Sequence, residues 1–271
     1  TGFLSTEVTL SNASISNFSG SGTTYTFDVS PSGSGAVTVD IAAGIAQDVA
    51  TNNNLASNTL SRTADMTVPT VILSSISPAT VNGIFSVTAT FSESATGLVV
   101  GDIAVSNGAV SNLLGGPSVY TFDVTPSSSG AINVNIAAAG AQDLAGNNNT
   151  ASNTLSRTAD ITAPTVTLTS VAPATVNGIF SVTATFSESV TGLLSTEVTL
   201  SNATISNFSG SGTTYSFDVT PSASGAVTVD ISAAVAQDLA GNNNIASNTL
   251  SRVADMTAPT VILSSLSPAT V

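Results

Sequence analysis

Ile179-Phe-Ser-Val-Thr-Ala-Thr-Phe186 alternates without a break. Phe180, Val182, Ala184 and Phe186 fall on one face, and Ser181, Thr183 and Thr185 on the other. A period of two residues marks a strand with one face in a core and one in water. Tyr215-Ser-Phe-Asp-Val219 and Val227-Thr-Val-Asp-Ile231 repeat the pattern and turn Asp218 and Asp230 outward. Turn-forming stretches separate these runs: Ser209-Gly-Ser-Gly212, Thr220-Pro-Ser-Ala-Ser-Gly225 and Gly241-Asn-Asn-Asn244. Strands are expected near 165–170, 178–186, 196–201, 203–208, 213–219, 226–232 and 247–253. No segment carries a 3.6-residue period, and the Ala-rich stretch 232–237 is at most a turn of helix.

The same patterns return along the chain. Asp65-Met-Thr-Val-Pro69 reappears as Asp160-Ile-Thr-Ala-Pro164 and as Asp255-Met-Thr-Ala-Pro259, each time after 95 residues. Tyr25, Tyr120 and Tyr215 keep that register, and residues 1–81 and 191–271 differ at only 14 of 81 positions. A fixed period of this length makes each copy one small domain. Copies are expected to begin after Asp65, Asp160 and Asp255, where Pro69, Pro164 and Pro259 set the start of the first strand. Residues 1–65 then form a partial copy without its first two strands. Residues 66–160 and 161–255 are complete copies, and 256–271 supply the first strand of a further one. Seven short strands in about 90 residues predict an immunoglobulin-like sandwich. The expected fold is all-β, a series of tandem seven-stranded immunoglobulin-like β-sandwiches in an elongated array. A copy missing two strands would expose sheet edges and core, so the natural chain is expected to continue at both ends.

Three motifs carry a resemblance. They are Asp-x-Thr-Ala-Pro-Thr (Asp160 to Thr165), Phe-Ser-Glu-Ser-Val-Thr-Gly (Phe186 to Gly192) and Asp-Leu-Ala-Gly-Asn (Asp238 to Asn242). Together they resemble the bacterial Ig-like repeats strung together in giant surface adhesins, and the likeness covers the whole chain. The chain lacks the Cys pair and core Trp of antibody domains, so its core must rest on Phe, Val, Ile and Leu.

Composition excludes most chemistry. The 271 residues include 16 Asp and Glu, three Arg, and no Lys, His, Cys or Trp, for a net charge of -13. Cysteine nucleophiles, Ser-His-Asp triads, Cys or His zinc sites and disulfides are therefore ruled out. A P-loop lysine and a Schiff base are ruled out with them. Three Arg against 16 acids argue against nucleic acid, whose binding depends on neutralising phosphates. The 42% hydrophobic content argues against an acidic disordered tail. No apolar run reaches the roughly 18 residues of a membrane span, and no signal peptide is visible.

The acids divide into two sets. Asp28, Asp40, Asp123, Asp218 and Asp230 sit on outward strand positions and read as solubilising charge; Asn135 replaces one of them in the middle copy. The rest converge. In an immunoglobulin-like sandwich the leading linker, the loop after the second strand and the loop after the sixth share one end. For the third copy these carry Asp160, Glu188, and Asp238 with Asn242, Asn243 and Asn244; Glu197, early in the third strand, is close by. The equivalent set in the middle copy is Asp65, Glu93 and Asp102, with Asp143 and Asn147, Asn148 and Asn149. Carboxylates and amides gathered at one domain end need a counter-charge, while Arg157 and Arg252 sit on the last strand, which leaves at the other end. Ca²⁺ is the expected cofactor, a hard ion taking six to eight oxygens. The resemblance implies the same, since many adhesin arrays stiffen their junctions with calcium. The alternative is turn chemistry alone, with Gly241 and the Asn residues tolerating positive φ. Thr51 stands in the first copy where Gly146 and Gly241 stand in the others.

The expected function is a structural stalk or spacer in a large bacterial cell-surface adhesin or surface filament, secreted and extracellular. Its partners are further copies of the repeat in cis and, through lateral self-association, neighbouring chains; its host or environmental target is left open. The alternative is a carbohydrate- or surface-binding module. Tyr25, Tyr120 and Tyr215 bear on it, and their place in alternating runs reads as packing rather than sugar stacking. An enzyme is not expected: paired carboxylates serve glycoside hydrolysis, but no aromatic cleft or partner base accompanies them.

Overall fold

A computed structural model describes residues 2–264. The first copy contains β1 (Val8–Ser11), β2 (Ala13–Ser21), β3 (Thr24–Pro31), β4 (Gly35–Ile41) and β5 (Leu60–Ala64). The second contains β6 (Val71–Ser74), β7 (Thr80–Val81), β8 (Phe85–Phe91), β9 (Ile103–Val105), β10 (Gly108–Gly115), β11 (Val119–Pro126), β12 (Gly130–Ile136) and β13 (Leu155–Ala159). The third contains β14 (Val166–Thr169), β15 (Thr175–Val176), β16 (Phe180–Val190), β17 (Val198–Ser201), β18 (Ala203–Pro221), β19 (Gly225–Ile231) and β20 (Leu250–Ala254). Single 3-10 turns at Ser5–Glu7, Val100–Asp102 and Ser195–Glu197 are the only helical pieces among the described residues.

The third copy shows how the alternating runs make a sandwich. One sheet is β14-β16-β18 and the other β15-β20-β19-β17. The faces that alternation assigned inward meet in one cluster: Phe180, Val182, Ala184 and Phe186 from β16, Phe217 and Val219 from β18, and Val227, Val229 and Ile231 from β19. Burying a Val, Ile or Phe side chain is worth about 1.5–3 kcal/mol, so these residues hold the two layers together. Thr183 and Ser181 point the other way, and Ser181 pairs with Asp218 on β18 and donates its hydroxyl to that carboxylate. In the middle copy the sheets are β10-β11-β8-β6 and β7-β13-β12-β9. The first copy, without the first two strands, has only β1-β4-β5 and β2-β3.

Three details differ from the sequence expectation. The first strand of a complete copy is split: β14 runs antiparallel to β16, whereas β15 runs parallel to β20 in the opposite sheet. Pro173 lies in the gap and has no N–H to continue the first ladder, so the chain changes sheets there. The two strands expected at 203–208 and 213–219 form one element, β18. It still folds back on itself, as the Asn207–Asp218 and Ser209–Ser216 hydrogen bonds show. Gly212 in the fold pairs with Val190 instead of leaving the ladder. That pairing also carries β16 on to Val190, so Glu188 stands on the end of a strand rather than in a loop.

By spatial contact the described chain divides into two compact units. One comprises residues up to Ile76, Phe85–Thr125 and Asn133–Ser156; the other comprises Ser77–Ile84, Pro126–Ile132 and the described residues from Arg157 on. Of the further first strand expected in 256–271, residues 256–264 contain no strand, and 265–271 lie outside the described residues. The equivalent segment β6 is a strand because Val71 to Ser74 pair with β8; residues 261–264 have no such partner among the described residues.

Candidate metal centre

Local hydrogen bonding first fixes the Asp-Leu-Ala-Gly-Asn loop. The Asp238 carboxylate accepts the Asn242 backbone N–H at 2.9 Å and the Asn242 side-chain amide at 2.8 Å. The backbone closes the same turn, Asp238 N–H to Asn242 O at 3.1 Å and Gly241 N–H to Asp238 O at 3.3 Å. Gly241 takes φ +91 and Gly146 φ +92, a left-handed geometry that glycine reaches without strain. Two residues further, Asn244 holds the base of the loop. Its Oδ1 accepts from Val235 and Ala236, and its Nδ2 donates to the carbonyls of Ser232 and Ile245. With all its polar capacity satisfied, Asn244 is buried at 2% exposure, as is Asn149 in the middle copy.

Longer-range bonds then bring the other segments to this loop. Thr191 and Gln237 exchange backbone hydrogen bonds of 2.8 and 3.0 Å, which pins the chain just after Glu188 beside the residue before Asp238. The leading linker is held by Ile245 N–H to Pro164 O and by Thr165 N–H to the Ser187 hydroxyl. Asn242 Nδ2 also donates to the Asp160 carbonyl at 2.8 Å. The middle copy repeats this network: Asn147 donates to the Asp143 carboxylate and to the Asp65 carbonyl.

Two groups of three carboxylates result, Asp65, Glu93 and Asp143, and Asp160, Glu188 and Asp238. In each, one oxygen per residue lies within 4.8 Å of the others. Asp143 and Asp238 are buried, at 8% and 6% exposure. Burial, followed by the charges of Asp65 and Asp143, pushes the Glu93 carboxyl up from its ordinary range; burial, Asp160 and Asp238 do the same for Glu188. Asp143 is instead held low, chiefly by its hydrogen bond from the Asn147 side chain. Glu93 Oε1 is buried with no hydrogen-bond partner. Arg62 and Arg252 donate to backbone carbonyls.

Six of the ten sequence candidates are therefore brought together as carboxylate oxygens. Asn147 in one site and Asn242 in the other turn their amide nitrogens toward the carboxylates, acting as donors that orient Asp143 and Asp238. Asp102 and Glu197 are engaged elsewhere: each accepts the backbone N–H at the start of its own 3-10 turn, from Val99 and Leu194. Asn149 and Asn244, read in the sequence as members of the converging set, instead brace the base of each loop, with Oδ1 accepting backbone N–H groups and Nδ2 donating to carbonyls. Asn148 and Asn243 are engaged at the loop edge, where they accept from the Gln142 and Gln237 side chains.

The other singled-out residues are also placed. Asp123 and Asp218 do more than carry solubilising charge: each is held low by hydrogen bonds from an Asn and a Ser, Asn112 with Ser86 and Asn207 with Ser181. Tyr120 and Tyr215 are buried and donate to the carbonyls of Ala95 and Val190, so neither presents a ring for stacking.

The profile of the bacterial Ig-like domain family matches residues 65–159 and 160–254. No curated protein matches the chain. Among solved structures, invasin, described as a bacterial integrin-binding protein, is similar at 10% identity. It matches over 85% of this chain and 49% of its own, with a TM-score of 0.34. The C-terminal domain of the Streptococcus agalactiae AgI/II polypeptide BspA is similar at 11% identity over 68% of this chain and 99% of its own, with a TM-score of 0.34. A tetra-tandem repeat from the extending region of a large adhesion protein is 17% identical over 94% and 69%, with a TM-score of 0.27. The chain spans about half the length of the invasin structure.

Proposed function

The chain belongs to the bacterial Ig-like domain family, and from that premise we propose that it is a stalk or spacer segment of a large bacterial surface adhesin or surface filament, stiffened by Ca²⁺. The observation that carries the calcium reading is the recurrence of one three-carboxylate group in both complete copies, with a buried, unpartnered glutamate oxygen in one of them. Each group offers only oxygen, the donor type of a hard cation. Asp160 lies on the leading linker, Glu188 at the end of β16 and Asp238 in the loop before β20, so a bound ion would tie three separate segments together. Asp238 and Asp143 are held in place by Asn242 and Asn147, which reduces the ordering cost of binding. Ca²⁺ would supply the positive charge that the sequence omits; the chain's own residues position the oxygens and exclude water from one side. In this reading the repeats are extracellular, act as a spacer and perform no catalysis, with reach scaling by copy number.

The test is a thermal melt of the chain with Ca²⁺ and with EDTA, alongside solution scattering. Ca²⁺ should raise the midpoint and lengthen or narrow the distribution of particle dimensions, and Asp238→Ala should reduce both responses. Equal midpoints and equal scattering curves in the two conditions would remove calcium from the proposal.

A further inference from the structure

The sequence Val-Asn-Gly-Ile-Phe occurs twice, at 81–85 and 176–180, immediately after β7 and β15. Asn82 and Asn177 are exposed and lie in bends. Among the described residues neither side chain makes a hydrogen bond, and neither does the N–H of Gly83 or Gly178. The glycines themselves have no structural duty. A Cβ on Gly83 or Gly178 would meet nothing within 4 Å, and neither takes a positive φ. Any small residue would fit there, so conformation and space do not account for glycine.

What glycine does provide is an unhindered backbone nitrogen next to an asparagine amide. We propose that Asn82 and Asn177 are sites of spontaneous deamidation. The Gly83 nitrogen attacks the Asn82 Cγ, the C–N bond to the side-chain amide breaks, and ammonia leaves, closing a five-membered succinimide. Water then adds to either ring carbonyl and reopens it to aspartate or to β-linked isoaspartate. The net change is one water consumed and one ammonia released, with no oxidant or reductant, and Gly178 acts in the same way on Asn177. The new carboxylate arises beside an existing acid, since Asp160 N–H donates to Val81 O and Asp255 N–H to Val176 O. Each conversion therefore adds a negative charge close to the aspartate that opens an Asp-x-Thr-Ala-Pro motif, Asp160 or Asp255.

The two sites differ in one respect. Asn82 Nδ2 lies 3.3 Å from where a Cβ on Gly241 would sit, so the Asp-Leu-Ala-Gly-Asn loop of the third copy runs close beside the Asn82 amide. Asn177 instead lines an open cavity with Pro173, Gly178, Ile179 and Asp255. With identical neighbours in sequence, Asn177 should convert faster than Asn82. A third Asn-Gly pair, Asn107–Gly108, is a control: Asn107 is held at φ +56 and Gly108 begins β10, where a Cβ would come within 3.0 Å of Thr125 O.

Ageing the full chain at mildly alkaline pH, followed by tryptic peptide mapping, tests this directly. Cleavage after Arg62, Arg157 and Arg252 places Asn82 and Asn177 on separate peptides. The expected result is several-fold faster conversion at Asn177 and Asn82 than at Asn107, with isoaspartate among the products. Gly83→Ala should silence Asn82 alone and Gly178→Ala should silence Asn177 alone, with circular dichroism and melting midpoint unchanged. If the urea-unfolded chain converts at both sites while the folded chain converts at neither, the proposal is wrong. Conversion at Asn107 as fast as at Asn177 would overturn it too.

Discussion

The first and third copies are almost the same sequence in two different surroundings. Gly35-Ala-Val-Thr-Val-Asp-Ile41 and Gly225-Ala-Val-Thr-Val-Asp-Ile231 are identical, yet their environments diverge. Leu250 is 8% exposed in the third copy; its equivalent Leu60 is 48% exposed. Tyr215 is buried and donates to Val190 O. Tyr25 is only half-buried and packs edge-on against Phe3, with ring centres 5.1 Å apart. What separates the copies is β14 and β16, which lay Phe180, Val182 and Phe186 across the sheets in the third copy and have no counterpart in the first. Burial is thus a property of the neighbouring strands, not of the strand that is buried. The acidic sites follow the same rule. Asp48 has the Asn52 bonds of its loop, but no second or third carboxylate joins it among the described residues.

This contrast can be tested at several strengths. The largest effect belongs to the core. Phe217→Ala should cost about 3–5 kcal/mol in urea unfolding, and the half-buried equivalent Phe27→Ala under about 2 kcal/mol. Equal losses would mean that the open copy is as well packed as the closed one. Next is ligand linkage: Ca²⁺ at a hundredfold excess over its Kd should stabilise a site-bearing copy by about 2.7 kcal/mol. Hydrogen exchange should then slow around Asp238 and Asp143 and stay unchanged around Asp48.

Asn244→Ala follows in size. It leaves the N–H groups of Val235 and Ala236 without their acceptor in a buried site and should cost about 2–3 kcal/mol. Asn54→Ala, in a more open loop, should cost about 1 kcal/mol. Both are read from shifts in urea midpoint.

The pH response should then differ in sign. The Glu188 carboxyl is raised above its ordinary 4.5, first by burial and then by Asp160 and Asp238. Without a cation its contribution is most favourable below pH 4.5 and is lost as pH rises through the raised value. Asp48 is lowered from 3.8, first by the Asn52 side chain; its contribution is present above 3.8 and lost as pH falls through the lowered value. Chelated Glu188→Gln should therefore lose the fall on the alkaline side while keeping the acid limb. An unaltered profile would show that Glu188 is not strained by its neighbours.

The smallest effect concerns the loop itself. Thr51 is held at φ +67 where the other copies use glycine. Thr51→Gly should raise the stability of the first copy by about 1 kcal/mol, and Gly241→Ala should lower that of the third by a similar amount.

How much of this was legible before folding depended on range. Alternation in 179–186, 215–219 and 227–231 follows from side chains pointing to opposite faces of a strand, so those strands and their inward residues could be read directly. The change of sheets at Pro173 and the continuous ladder through Gly212 could not, because both depend on which distant strand offers a hydrogen bond. The convergence of Asp160, Glu188 and Asp238 was readable from topology, since the sandwich places their segments at one end. The diversion of Glu197 and Asp102 into their own 3-10 turns was not, because a carboxylate chooses between local N–H groups and a distant cluster only when both are in place.

By itself, then, the sequence determined the 95-residue period, the all-β sandwich and the absence of any chemistry needing Cys, His or Lys. These are properties of composition and local spacing, fixed by how apolar and polar side chains sort along an extended backbone. Only the tertiary structure decided which acids stand within reach of one another, which asparagines donate and which merely turn the chain, and which glycines have no structural need to be glycine. Those outcomes rest on contacts between residues tens of positions apart, where a hydrogen bond or a shared charge depends on ångström-scale placement that no local pattern encodes.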